Sequence, residues 1–157
     1  MILKIIFQKT RQSEAEEWFS KANQIAPNDP SVHLHYGLFL MDTERNLEAA
    51  QEFSKAAELN PDDYESIFNA GVAYRQAGQN TKAELFYRKA VQLKPKDPST
   101  HRNLGAMLHL VGNWAEAEKY YFEALKLSPS DQTTRINIQR LHRTMRSKGL
   151  PIKNSLN

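Results

Sequence analysis

The sequence repeats itself between residues 64–97, which read YESIFNAGVAYRQAGQNTKAELFYRKAVQLKPKD, and residues 98–131, which read PSTHRNLGAMLHLVGNWAEAEKYYFEALKLSPSD. Five columns of residues recur along the chain at a step of 34. They are Pro27, Pro61, Pro95 and Pro129; Ala22, Ala56, Ala90 and Ala124; Ala15, Ala49, Ala83 and Ala117; Phe19, Phe53, Tyr87 and Tyr121; and Gly37, Gly71 and Gly105. A fixed period of this length is typical of stacked structural repeats, in which each unit buries its apolar face against the next.

Each repeat predicts two amphipathic helices. Ile67, Ala70 and Tyr74 follow one another at helical spacing, and so do Ala83 and Ala90 in the second half of the same repeat. The glycine and alanine columns are small because we expect two helix backbones to approach closely there, and the aromatic column fills the space beyond that contact. A larger side chain in the small columns would overpack the contact and cost about 1–3 kcal/mol.

The ends of the predicted helices are marked by residues that favour helix starts and stops. The proline column ends the second helix, because proline lacks an N–H group and disfavours helical geometry in the residue before it. Asp29-Pro30 and Asp97-Pro98 begin the next helix, with aspartate as N-cap and proline at the first helical position. The turns inside the repeats are marked by Gly78 and Gly112.

We therefore expect an all-α, right-handed solenoid over residues 1–147. Its expected parts are a partial repeat at 1–29, full repeats at 30–63, 64–97 and 98–131, a capping helix at 132–147, and a disordered tail at 148–157. Ile138 and Leu141 are expected to cover the open end of the stack, which repeat proteins need for solubility.

The front of the chain departs from the repeat. Residues 13–26 match the second helix of a repeat, but Leu3 stands where the close-packing glycine is expected. This pattern indicates a fragment, a short isoform or a gene-model start within a longer array of repeats, since a stack rarely begins in mid-helix without a cap.

Composition excludes several classes of protein and leaves the compartment open. The chain has no cysteine, which excludes disulfides and thiolate zinc sites. No window approaches the roughly 20 apolar residues of a membrane-spanning helix, and no signal-peptide cleavage pattern follows the apolar start. After Asp131 there are six basic residues and no acidic one, whereas residues 1–131 carry 15 basic and 18 acidic residues. A basic end suggests an acidic partner or anionic surface, and the alternative is a solvated helix face.

These columns resemble the consensus of the tetratricopeptide-repeat (TPR) family. The match consists of small residues at the eighth, twentieth and twenty-seventh positions, an aromatic residue at the twenty-fourth and a proline at the thirty-second. It covers about residues 10–147. The resemblance implies a superhelix of helix pairs that binds other proteins and performs no catalysis, although TPR proteins act in many processes.

A finer resemblance links three stretches to one class of TPR proteins. APNDPSVHLHYG at residues 26–37, FNAG with RQAG within 68–78, and NLGAMLH at 103–109 look like the C-terminal repeats of the transmembrane, TPR-containing O-mannosyltransferases that target cadherins. This resemblance implies a segment on the lumenal side of the endoplasmic reticulum. It also implies that the transferase lies in a membrane part that this chain does not contain.

In a TPR stack the first helix of each pair lines the concave groove, and its sixth position carries His35, Asn69, Asn103 and, in the capping helix, Asn137. A carboxamide both donates and accepts hydrogen bonds, so a row of them can bind the backbone of an extended peptide whatever its sequence. The row is similar to the asparagine ladder of O-GlcNAc transferases. The alternative is that each asparagine bonds a neighbouring helix or is simply common at this position in TPR consensus sequences.

Other groove positions carry a mixture of apolar and polar side chains. They include Phe68, Val72, Arg75, Arg102 and His109. This mixture suits a peptide with both kinds of side chain. The Lys and Asn clamp of chaperone-binding TPRs is not recognisable, which disfavours a receptor for chaperone tails.

Metal, catalytic and nucleic-acid sites are all disfavoured. No histidine pair has the i, i+4 spacing of a helical zinc site, and His33 and His101 are expected to pack in the core. Glu116 and Glu118 are expected on solvated outer faces. Residues 132–157 contain no aromatic residue to stack on bases.

The sequence therefore predicts a non-catalytic scaffold that binds an extended polypeptide in its concave groove, in the lumenal repeat region of an O-mannosyltransferase-like membrane protein. No cofactor, metal, nucleic acid or membrane contact of this segment itself is expected. One alternative is a generic cytoplasmic TPR adaptor of a multiprotein complex. A transferase in its own right is disfavoured, because no catalytic constellation is present. The identity of the partner and the oligomeric state stay open.

Overall fold

The part of the chain that the structure describes contains eight α-helices and no β-strand, which confirms the all-α prediction. The structure is a computed structural model that describes residues 2–156, and of residues 2–9 only the backbone is described. The helices are α1 (Ile2–Ile25), α2 (Pro30–Asp42), α3 (Asn46–Leu59), α4 (Tyr64–Gln76), α5 (Asn80–Leu93), α6 (Pro98–Leu110), α7 (Trp114–Leu127) and α8 (Gln132–Ser147). The pairs α2–α3, α4–α5 and α6–α7 each fall within one 34-residue repeat, and consecutive helices pack against each other.

The first helix differs from a helix pair. The backbone of α1 runs from Ile2 to Ile25 without the turn that separates the two helices of a repeat. Its second half contacts α2, with the ring of Phe19 stacked 4.9 Å from that of Tyr36. Phe19 is only half-buried, whereas its equivalents in the later repeats are buried. The side chain of Leu3, at the expected glycine position, lies outside the described residues.

The core follows the repeat columns. The alanines of the two small columns within α3, α5 and α7 are completely buried, as is Phe53. A Cβ atom added to Gly37 would lie 2.7 Å from the Phe53 ring, and one added to Gly105 would lie 2.8 Å from the Tyr121 ring. At these glycines the atoms nearest to an added side chain therefore belong to the aromatic ring of the following helix.

The first helices of the repeats share a capping residue. Four aspartates at a step of 34 are the N-caps of α2, α4, α6 and α8, and each carboxylate accepts a hydrogen bond from a backbone N–H in the first turn. They are Asp29, Asp63, Asp97 and Asp131. Such a bond satisfies one of the free N–H groups at a helix start. The second helices α3, α5 and α7 have no side-chain cap.

The C-terminal end is more ordered than the sequence predicts. Ile138 and Leu141 of α8 are fully buried. Beyond α8, Leu150, Ile152 and Leu156 pack against the core. The expected disordered tail at 148–157 is therefore wrong for the described residues 149–156, which we call the C-terminal strap. The apolar side chains spaced along the strap explain why it adheres.

Glu118 differs from the expectation, and Trp18 is exposed. Glu118 was expected on a solvated face but is only 1% exposed, because His142 and two backbone N–H groups of the C-terminal strap bind its carboxylate. Trp18 on α1 is 69% exposed among the described residues and meets the ammonium of Lys21 at 5.1 Å from its ring. His33 and His101 are buried, as expected.

None of the helices between residues 2 and 156 combines the length and the apolar character needed to cross a membrane.

Candidate functional site

The three asparagines of the predicted ladder occupy equivalent places on α4, α6 and α8. Asn69, Asn103 and Asn137 are each half-buried, and each follows the N-cap aspartate of its helix by six residues. None of the three side-chain amides makes a hydrogen bond within the described chain. The alternative that each asparagine bonds a neighbouring helix is therefore wrong for these residues.

An unpaired, half-buried amide is available to a ligand. Polar groups in protein interiors are normally hydrogen-bonded, because losing water without a partner costs free energy. The amides of Asn69, Asn103 and Asn137 have no such partner within the described residues. Each amide offers two donors and an acceptor carbonyl, which match the C=O and N–H groups of an extended backbone.

His35, at the equivalent place on α2, is different. Its ring is exposed, and its Nδ1 lies 2.7 Å from the carbonyl oxygen of Ser31 in its own helix. Nδ1 therefore donates to the helix and leaves Nε2 as the ring's open acceptor. The ladder thus consists of three amides with an imidazole at its N-terminal end.

A cleft opens at the other end of the ladder, between α6 and α8. It has a volume of about 410 Å³. Its lining includes Asn137 of the ladder, His109 of the predicted groove, Trp114, Arg140 and Thr144. The structure therefore brings two of the predicted residues into one concavity.

The cleft is chemically mixed. Burial lowers the pKa of His109, which favours a neutral imidazole at pH 7. Arg140 is exposed and forms no ion pair within residues 10–156. The indole of Trp114 supplies an apolar wall, with the ammonium of Lys148 5.0 Å from the ring centroid. A peptide side chain in this cleft would meet an aromatic surface and a positive charge.

Phe68 and Val72 serve the scaffold as much as the groove. Both are partly buried and pack against the core, and the centroid of the Phe68 ring lies 5.5 Å from that of Tyr64 and 5.9 Å from that of Tyr87.

The Tyr87 hydroxyl is buried without a hydrogen bond at normal distance. Burial raises its pKa, and the nearby charge of Arg75 opposes this rise. The exposed guanidinium of Arg75 therefore lies near the Tyr87 hydroxyl.

Arg102 forms an ion pair within the protein. Its Nη1 donates to the carboxylate of Asp131 at 2.5 Å, and this ion pair joins α6 to the start of α8. A ligand would have to compete with that carboxylate. We therefore assign Arg102 to the alignment of α8, in contrast to the open groove position predicted from the sequence.

Two residues of the cleft were not predicted as site residues. They are Trp114 and Arg140. Arg140 lies 34 residues after Ala106 and 68 after Val72, so the groove column that contains Val72 identifies it. Trp114 follows a turn and carries no such signal. Among residues 10–156 no group of three His, Cys, Asp or Glu side chains is placed to hold a metal ion.

Two family models match the sequence. The model of the Cilia and flagella-associated protein 70 middle TPR-like domain matches residues 8–103, and the tetratricopeptide repeat model matches residues 98–131. Together they cover α2 to α7 and most of α1.

Solved structures and one curated protein add to this likeness. MamA superposes with a TM-score of 0.79 at 20% identity, over 91% of this chain and 82% of that one. The first TPR of Spaghetti (RPAP3), bound to the HSP90 peptide SRMEEVD, superposes with a TM-score of 0.70 at 19% identity, over 75% of this chain and 94% of that one. At these identities the likeness concerns the fold alone.

The curated relative is Protein O-mannosyl-transferase Tmtc1 of Drosophila melanogaster. It is 51% identical over 37 residues, which make up 24% of this chain and 4% of that protein. The match thus spans a small part of that relative's length. The repeat columns, the helix pairs and the family models agree on one fold, which is suited to protein–protein interaction: this chain belongs to the tetratricopeptide-repeat family.

Proposed function

We propose that this chain binds an extended segment of another polypeptide along the groove formed by α2, α4, α6 and α8. The observation that carries the proposal is the row of three half-buried asparagine amides, Asn69, Asn103 and Asn137, which have no hydrogen-bond partner within the described chain. The backbone of a bound segment would supply hydrogen-bond partners for these amides, and these hydrogen bonds would favour the complex.

The ladder recognises the backbone, and the residues beside it select side chains. Phe68 and Val72 form an apolar surface near Asn69, so an apolar side chain of the ligand is favoured at that end of the groove. Arg140 is exposed near the C-terminal end of the ladder and forms no ion pair in residues 10–156. An acidic residue of the ligand is therefore favoured beside α8, where the chain has no carboxylate after Asp131.

A peptide-display experiment tests this function. A library of random linear peptides is selected on the immobilised 157-residue chain, and the best peptide is titrated against the Asn69→Ala, Asn103→Ala double variant. Each lost hydrogen bond is worth about 0.5–1.5 kcal/mol, so two lost bonds should lower the affinity about 5- to 150-fold. The matched control is the Gln24→Ala, Gln51→Ala double variant, which removes two exposed amides elsewhere and should bind as the parent does. Equal affinity of both double variants would contradict the proposal.

We further propose that this groove works in the lumenal repeat region of an O-mannosyltransferase-like membrane protein. The 37-residue match to Protein O-mannosyl-transferase Tmtc1 supports this setting, in addition to the resemblance of residues 26–37 and 103–109. In that setting the groove would hold acceptor polypeptide for a transferase that lies outside this chain. The groove itself performs no chemical step.

The second candidate is an adaptor in a multiprotein complex outside that lumen. It is favoured by the match of residues 8–103 to the Cilia and flagella-associated protein 70 middle TPR-like domain. Protease protection separates the two settings. In sealed microsomes the tagged product of the whole gene resists added protease if it is lumenal, and digestion in intact vesicles would exclude the transferase setting while leaving the peptide-binding groove in place.

A further inference from the structure

A hydrogen bond recurs at three junctions between repeats. His33 Nε2 lies 3.0 Å from the carbonyl oxygen of Pro27, and His101 Nε2 lies 2.7 Å from that of Pro95. At the last junction the guanidinium of Arg135 donates to the carbonyl oxygen of Pro129 from Nε at 3.3 Å and from Nη2 at 3.0 Å. At each of these junctions, a side chain of the helix that follows the proline therefore supplies a nitrogen donor to the proline carbonyl oxygen. The three helices are α2, α6 and α8.

The remaining junction lacks this donor. Ile67 occupies the position that His33, His101 and Arg135 hold elsewhere, and a hydrocarbon side chain cannot donate a hydrogen bond. The carbonyl oxygen of Pro61 receives no hydrogen bond from the described residues. A cavity of about 450 Å³ opens at this place, lined by Pro61, Ile67 and the ring of Phe86.

The same junction is also the acidic one. Glu58 and Asp62 line the cavity, and neither forms an ion pair within residues 10–156. At the equivalent places of the other junctions there is no carboxylate. Those places carry Gln24, Gln92 and Lys126 in the column of Glu58, and Asn28, Lys96 and Ser130 in the column of Asp62.

The ammonium group of Lys89 already lies at this cavity. Lys89 lines the cavity, and its Nζ lies 5.4 Å from the centroid of the Phe86 ring, a distance typical of a cation–π contact. This ammonium group does not reach either carboxylate within 4.0 Å. The two negative charges therefore remain available to a second cation.

We propose that the cavity binds an arginine side chain of a partner protein. The guanidinium donates to the Pro61 carbonyl and to the carboxylates of Glu58 and Asp62, and the aliphatic stem packs on Ile67 and Phe86. The contact between Arg135 and Pro129 shows the carbonyl part of this recognition inside the chain. Arginine suits the site better than lysine, because its planar group donates several hydrogen bonds in fixed directions. The site is separate from the asparagine ladder and does not depend on it.

The probe is the peptide Ac-Gly-Arg-Gly-NH₂, titrated into the 157-residue chain with the methyl group of Ala57, another lining residue, as the NMR reporter. We expect a saturable shift of this methyl signal. The neutral isostere with citrulline in place of arginine should bind at least about tenfold more weakly, because it lacks the charge-assisted hydrogen bonds. An equal response to both peptides, or no response to the arginine peptide, would overturn the proposal.

Two sets of variants locate the binding on the chain. The Glu58→Gln, Asp62→Asn double variant changes exposed side chains only and should weaken the arginine peptide about tenfold, whereas Glu65→Gln, a nearby exposed carboxylate that does not line the cavity, should not. Ile67→His supplies the internal donor found at the other junctions and should abolish the Ala57 shift, while Ile67→Val keeps it. Unaltered binding in Ile67→His and in the double variant would show that the peptide contacts another surface.

Discussion

Glu118 and His142 face each other in the interior between α7 and α8, with Oε1 of the carboxylate 3.0 Å from Nε2 of the imidazole. The backbone N–H groups of Lys153 and Asn154 donate to the same carboxylate at 3.2 Å. A carboxylate in the interior is tolerated only with several partners, because it has lost its water. Glu118 therefore connects the last helix pair to the C-terminal strap.

This connection predicts that the strap depends on Glu118. Glu118→Gln keeps the size of the side chain but removes the charge, and we expect the free energy of unfolding to fall by about 1.5–3 kcal/mol. Amide hydrogen exchange at Lys153 and Asn154 should become faster. Glu123→Gln, on the same helix beside Lys126, is the control and should cost under about 1 kcal/mol. Unchanged exchange in Glu118→Gln would show that the strap is held by its apolar side chains alone.

The three core glycines predict a graded series of alanine variants. A Cβ atom at Gly37, Gly105 and Gly71 would approach an aromatic ring to 2.7, 2.8 and 3.1 Å, respectively. Alanine gains about 1 kcal/mol of helix propensity over glycine, but overpacking costs about 1–3 kcal/mol. Gly37→Ala and Gly105→Ala should therefore destabilise by about 1–2 kcal/mol, and Gly71→Ala should be close to neutral. Urea unfolding measures the order, and a larger loss at Gly71 than at the other two would contradict it.

Glu44 predicts a stabilising substitution. It has a φ of 62° in the turn between α2 and α3, where Gly78 and Gly112 stand in the following repeats with φ of 73° and 86°. Left-handed geometry costs a non-glycine residue about 1–2 kcal/mol, and glycine loses about 0.5–1 kcal/mol of that gain through its flexibility when unfolded. Glu44→Gly should therefore raise the free energy of unfolding by about 0.5–1 kcal/mol, whereas Gly78→Ala should lower it. A destabilised Glu44→Gly protein in thermal unfolding would refute the strain at this turn.

Asp131 predicts an acid-dependent part of the stability. Burial raises the pKa of Asp131, but hydrogen bonds from Thr134 and Arg102 outweigh burial and hold the pKa below its usual value of 3.8. A carboxyl group whose pKa is lower in the folded chain stabilises the fold above the unfolded pKa, and this contribution is lost as the pH falls through the folded pKa.

Asp131→Asn tests this dependence, because asparagine is as good an N-cap but does not titrate in this range. The free energy of unfolding of the variant should fall less steeply than that of the parent below about pH 4. The control is Asp42→Asn, since Asp42 is exposed and accepts no side-chain hydrogen bond within the described chain. Parallel pH curves for Asp131→Asn and the parent would contradict the role of this carboxylate.

The fold could be predicted from the sequence because its determinants repeat. Columns such as that of Gly71, with three copies, and that of Tyr87, with four, are local constraints on helix packing, and the shared register of their copies makes them unambiguous. The strap could not be predicted in this way. Its apolar residues follow no period. Its polar contacts are hydrogen bonds from backbone N–H groups of the strap to the Glu118 carboxylate, and any residue except proline could donate them.

The site could be predicted only in part. The repeat placed Asn69, Asn103 and Asn137 on equivalent helices, and it also contained the signal for Arg140, in the column of Val72. The period does not say which side chains are already engaged. Arg102 has the same position in its repeat as Phe68, yet its guanidinium already forms a hydrogen bond with Asp131, 29 residues away. Such pairings depend on distances between helices, which one sequence does not display.

The side-chain amide groups of the ladder give the most direct measurement of the peptide-binding claim. The NH₂ resonances of Asn69, Asn103 and Asn137 can be followed by nitrogen–proton NMR while the peptide selected by display is added to the isotope-labelled chain. If the groove binds the peptide backbone through the ladder, all three resonances shift along one saturation curve. Binding that moves other resonances but leaves these three unchanged would contradict the claim.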